Sequence, residues 1–210
     1  MVSALILIAE GTEEAEYTIT YDVLVRASIS VTSALVGSSS TSSTPETPHS
    51  AAYVTCSRGV KIVPDVRLPD LAGGKALQYD AIIVPGGAKG AETIGANPDV
   101  QQLLAAAYGA GKVVAAICAG SLALKHAGVG KDAAVTSHPS VKAELDKEYA
   151  YKEDRVVVSG NMITSRGPGT AFEFALAIVD ALVDTEKRTE KRTEIVPPML
   201  LPPGIAAAES

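Results

Sequence analysis

The stretch KVVAAICAGSLAL, Lys112 to Leu124, decides how this chain is read. It runs apolar and β-branched to Ile117, meets Cys118, crosses the small pair Ala119-Gly120 and continues with helical composition. A continuous apolar run is what a strand covered on both faces requires, and glycine lets the chain turn closely at its end. The stretch therefore predicts a parallel strand, a sharp elbow and a helix, with a cysteine at the bend. The same alternation extends in both directions. SALILIAEG (3–11), ISVTSALVG (29–37) and DAIIVPGG (80–87) read as strands. TEEAEYTITYDVLVRAS (12–28) reads as a helix, with Thr12 as N-cap and Glu13 and Glu14 suited to its positive end. NPDVQQLLAAAYGAG (97–111) is a helix closed by glycine, and DRVVVSGNMITSRG (154–167) a hairpin about Ser159-Gly160-Asn161. GTAFEFALAIVDALV (169–183) is the last long helix, apolar on more than one face. Strands alternating with helices predict βαβ units in a single α/β domain over residues 1–184.

Two segments depart from this pattern. GSSSTSSTPETPHSAA (37–52) is too polar to bury and reads as a low-complexity surface loop. Residues 185–210 form a charged, Pro-rich tail. Its duplicated KRTE, Lys187–Glu190 and Lys191–Glu194, could support a solvated helix through i,i+4 pairs, until the prolines of PPMLLPPG end it.

Bulk composition narrows the function. Hydrophobic residues make up 47% of 210, enough for a sizeable core. A net charge of −6 and the absence of tryptophan oppose nucleic acid as a stable partner. The apolar N-terminus lacks a basic flank and reads as a strand rather than a signal peptide, and no apolar run reaches the roughly 20 residues of a membrane span. Two cysteines cannot build a disulfide framework, which fits a cytoplasmic location, with the nucleus also open. The three histidines and two cysteines show no metal-ligand spacing, so neither a metal nor a cofactor is expected.

On residue chemistry alone Cys118 has two readings. It is an inert core thiol, or it is a nucleophile held at a strand-to-helix elbow, with a helix N-terminus favouring thiolate. Ligands of open parallel sheets gather at the carboxyl ends of the strands. Three other pieces are expected at that edge: AEGTEEAE (9–16), VPGGAKGAE (84–92), whose Gly86-Gly87 could offer N–H to an oxyanion, and VTSHP (135–139), which carries His138.

Together AEGTEEAE, CSRGV, VPGGAKGA, AAICAG, TSHP and TSRGPGTAFEFALAIVDAL resemble the parkinsonism-associated deglycase family of the DJ-1/PfpI superfamily, over about Leu5 to Leu182. The resemblance implies a flavodoxin-like three-layer α/β/α sandwich with a mostly parallel central sheet, and a homodimer. It also implies a redox-sensitive cysteine and glutathione-independent, glyoxalase III-like conversion of methylglyoxal to lactate, or deglycase action on early glycation adducts of amino groups and thiols. Carried over by position, Cys118 is the nucleophile and Glu16 the acid that bonds it, while His138 serves the aldehyde chemistry. Gly87 and Ala119 are the oxyanion donors, with Gly86 beside them. Arg26, Arg58 and Cys56 fall near the pocket or subunit boundary. Ser121 replaces a proline found after CAG in animal members and could cap the following helix instead. The alternatives are a redox-sensing or stress-response protein governed by Cys118 oxidation, and a peptidase. The peptidase relatives carry histidine directly after the elbow cysteine, where this chain has Ala119.

Overall fold

The computed structural model describes residues 1–37, 53–183, 185–196 and 199. The surface loop expected over 37–52 therefore lies outside the described residues, apart from Gly37. Its backbone forms β1 (Ser3–Ile8), α1 (Glu14–Arg26), β2 (Ser30–Leu35), a hairpin of β3 (Val54–Thr55) and β4 (Lys61–Ile62), β5 (Val66–Arg67) and β6 (Ala81–Val84). Then come α2 (Ala88–Ala96), α3 (Pro98–Gly109), β7 (Val113–Ile117), α4 (Ser121–His126), β8 (Ala134–Val135), α5 (Lys142–Leu145) and β9 (Ala150–Tyr151). The chain closes with β10 (Val156–Ser159), β11 (Met162–Ser165), α6 (Ala171–Leu182) and α7 (Thr185–Ile195).

One seven-stranded sheet runs in the order β10-β11-β7-β6-β1-β2-β5, and within it only the β10–β11 pair is antiparallel. The period-2 geometry of β1 shows why helices must cover both faces. Ala4, Ile6 and Ile8 enter one core with Tyr17, Val23 and Leu24 of α1 and Phe174 and Ile178 of α6. Leu5 and Leu7 enter the other, with Ile94 of α2, Leu104 of α3 and Leu124 of α4. Each fully buried Leu or Ile contributes roughly 1.5–3 kcal/mol of transfer free energy, so a strand apolar on both sides is stable only in the middle of three layers. This is the expected flavodoxin-like sandwich. Among the described residues no helix is long and apolar enough to cross a membrane.

The KRTE duplication is helical, as its charges suggested, and it docks. Ile195 and Val196 are buried in the α1/α6 core, Met199 packs against it, and Arg192 holds Asp180 of α6 through Nη2–Oδ2 at 2.6 Å. Parallel registry sets the carboxyl ends side by side, with Val84 opposite Ala116 and Ser165 opposite Ile117. The residues that follow those strands share one edge.

Candidate active site

β7 delivers Cys118 to that edge and the chain then turns through one 3-10 turn, Cys118–Gly120, into α4. Cys118 has φ +61°, a left-handed conformation that L-residues occupy at a cost of order 1 kcal/mol or more. The N–H groups of Ala119 and Gly87 and the Glu16 carboxyl are near enough to bear on the ionisation of its half-buried sulfur.

Glu16 arrives from the first turn of α1. The cap of that helix is Glu13, whose carboxylate accepts the Glu16 N–H at 2.7 Å. Thr12, the expected cap, instead accepts the Ala9 N–H at 2.9 Å and closes the preceding turn. Glu16 is completely buried: Oε2 accepts the Gly86 N–H at 2.7 Å, and Oε1 has no hydrogen-bond partner among the described residues. Gly86 must lack a side chain here, because a Cβ would stand 2.5 Å from Cys118 Cβ and 2.7 Å from Glu16 Oε2. Gly87 adopts φ +86°, and a Cβ there would collide with the Gly11 carbonyl oxygen.

Burial pushes the Glu16 carboxyl up to about 7, the Glu13 charge pushes the same way, and the Gly86 N–H and the Cys118 thiol oppose both. Burial, and then the charge of Glu16, push the Cys118 thiol up to about 12, against the N–H groups of Ala119 and Gly87. The lowered thiol expected from the sequence is therefore not found. α4 has only six residues, and its N-terminal field is outweighed by burial and an adjacent carboxylate. Such a pair titrates as a unit. Thiolate forms at least cost when the sulfur proton passes to Glu16, which leaves the net charge of the pair unchanged.

The other expected residues divide. His138 caps the turn Pro139–Val141, accepting the Ser140 N–H at Nδ1 (3.2 Å), and its Cδ2 lies over Gly167. The preceding strand β8 pairs with β9 outside the central sheet, and His138 makes no hydrogen bond to Cys118 or Glu16 among the described residues. Arg26 ends α1, about 15 Å of helix from Glu16. Exposed there and paired with Asp22 at 2.7 Å, it is not a pocket residue. Arg58 is exposed, with its N–H on the Glu14 carboxylate. Cys56 is buried at the β3–β4 hairpin, its thiol pushed up to about 11 by burial and then by Glu14, Glu13 and Glu10. Ser121 caps nothing: its hydroxyl donates to the Thr136 carbonyl at 3.2 Å. Glu13, expected only as favourable helix-end charge, caps α1 by accepting the Glu16 N–H. Thr is ordinarily a strong cap, and only the pull of Ala9 on Thr12 reveals the alternative. Among the described residues no group of three or more His, Cys, Asp or Glu could hold a metal ion.

Comparison with known proteins matches residues 2–181 to the DJ-1/PfpI family. Protein dj-1beta of Drosophila melanogaster is 41% identical over 181 residues, 86% of this chain and 89% of that protein. Glutathione-independent glyoxalase DJR-1.2 of Caenorhabditis elegans is 42% identical over 182 residues, 86% and 88% of the two chains. Among solved structures, Drosophila melanogaster DJ-1beta superposes with a TM-score of 0.80 at 40% identity, covering 93% of this chain and 97% of that one.

Proposed function

Because the chain belongs to the DJ-1/PfpI family, we propose that it is a glutathione-independent glyoxalase that converts methylglyoxal to lactate, Cys118 being the nucleophile. The observation that carries this reading is the meeting of Cys118 and the buried Glu16 carboxyl at Gly86, where a Cβ would stand 2.5 Å from Cys118 Cβ and 2.7 Å from Glu16 Oε2.

The Cys118 sulfur adds to the aldehyde carbon of methylglyoxal while its proton passes to Glu16. The carbonyl oxygen becomes an oxyanion stabilised by the N–H of Gly87 and Ala119; one such donor is worth about 10²–10³-fold. Protonation gives a hemithioacetal. Glu16, again a carboxylate, removes the hydrogen from the former aldehyde carbon, and an enediol forms. Reprotonation at the neighbouring carbon leaves a lactoyl thioester, which water cleaves to lactate and free Cys118. A carboxyl near neutrality suits both halves of this proton traffic, worth roughly 10²–10⁴-fold. His138, exposed at the rim, is proposed to guide substrate rather than to carry the central proton. The same addition at a hemithioacetal or aminocarbinol in equilibrium with aldehyde accounts for deglycase action. We also propose a homodimer; a solution mass equal to the 21.5 kDa chain would overturn it.

The test is glutathione-free turnover of methylglyoxal with lactate quantified. Many equivalents of lactate per chain are expected. Stoichiometric oxidation of Cys118 by peroxide with no lactate would replace the enzyme with the sensor.

A further inference from the structure

Three short bonds close a ring around the acid. The Glu13 carboxylate accepts the Glu16 N–H at 2.7 Å, the Glu13 N–H donates to the Gly86 carbonyl at 2.9 Å, and the Gly86 N–H donates to Glu16 Oε2 at 2.7 Å. Glu13 thus ties the start of α1 to the loop after β6. It is joined to both residues that flank the Cys118 sulfur, yet it bonds neither the sulfur nor the Glu16 carboxyl.

We propose that Glu13 is a positioning residue of this site, holding the Glu16 carboxyl against Cys118 by fixing the backbones of Glu16 and Gly86 at once. The inference rests on the glyoxalase reading for its chemistry and on the ring for its geometry. A serine or asparagine would cap the helix as well; a carboxylate adds a fixed negative charge one helical turn from Glu16. That charge delays the ionisation of Glu16, in the same direction as burial. Other titratable and charged groups stand on the elements packed around Glu16. Cys118 on the elbow titrates with it. Cys56 on the β3–β4 hairpin is a buried thiol, and Arg58 there gives its backbone N–H to Glu14 and its guanidinium to the Ser57 carbonyl. Lys89 of α2 packs by its stem on Gly11. Glu173 and Asp180 of α6 are paired with Arg155 and Arg192.

The experiment compares full-length wild type, Glu13→Gln and Glu13→Ala in two readouts: lactate formation, and the pH dependence of Cys118 alkylation by iodoacetamide followed on the Cys118 peptide. Gln keeps an oxygen for the Glu16 N–H and loses the charge. Its kcat should stay within about threefold of wild type, with the alkylation inflection moved to lower pH by about half a unit or more. Ala loses both oxygen and charge. Its inflection should move likewise, while kcat falls about tenfold with KM little changed. Superimposable alkylation profiles in all three proteins, or equal losses of rate in Gln and Ala with no shift, would overturn the proposal. If wild type forms no lactate, the glyoxalase reading fails by itself, and the alkylation profile still decides the role of Glu13.

Discussion

Glu16 is the residue on which the site and the fold disagree. A carboxyl with no exposure and one oxygen lacking a donor is held near 7 instead of its ordinary 4.5. A folded-state value above the unfolded one contributes stability that is complete below the unfolded value and is lost as pH rises through the folded one. Between pH 5 and 8.5 wild type should therefore lose stability relative to Glu16→Gln, by up to about 3 kcal/mol. Urea unfolding at the two pH values measures this, and parallel curves would show that Glu16 is not strained. Cys118 was legible from sequence because an elbow is local: an apolar run, a cysteine and two small residues lie within a few positions. Glu16 was legible only through the family pattern. Glu10, Glu13, Glu14 and Glu16 are chemically alike in sequence, and the phase of α1 against the Gly86 loop selects one of them for burial. The direction of the thiol shift has no local sequence signal, because it depends on burial and on the partner charge.

At the scale of elements, legibility followed the source of the stabilisation. The five-residue β7 and the twelve-residue α6 carry their own apolar pattern and were anticipated within a few residues. The two-residue strands β3, β4, β5, β8 and β9 have no pattern of their own, since tertiary neighbours supply their pairing. The helix α2 is marked in sequence only by the glycine turn before it. In α6, Phe174 and Phe172 are two positions apart, hence on different faces. Phe174 is fully buried in the α1/α6 core and Phe172 only packs at its edge. Phe174→Ala should cost about 3–5 kcal/mol. Phe172→Ala should cost less than half as much. Denaturant midpoints with unchanged m-values measure both, and equal costs would contradict the assignment of faces.

Over the whole molecule, strand order does what no single segment could. Setting β6 between β1 and β7 brings Ala9, Gly86 and Cys118 to one edge from positions more than a hundred residues apart, and α1 lowers Glu16 onto that edge. Alternation of strands and helices predicted the layers, but the placing of His138 in the turn after β8 and the docking of α7 are tertiary outcomes with no local signal. The family match over residues 2–181 and the structural overlap with Drosophila DJ-1beta agree with this architecture.

The central claim is that Cys118 and Glu16 act together as nucleophile and proton carrier. It is tested most directly by glutathione-free lactate formation from methylglyoxal in wild type, Cys118→Ser, Glu16→Ala and Cys56→Ser. The account predicts lactate from wild type and from Cys56→Ser, and a loss of at least 10²-fold in both of the others. Lactate formation that persists in Cys118→Ser or Glu16→Ala at the wild-type rate would contradict it.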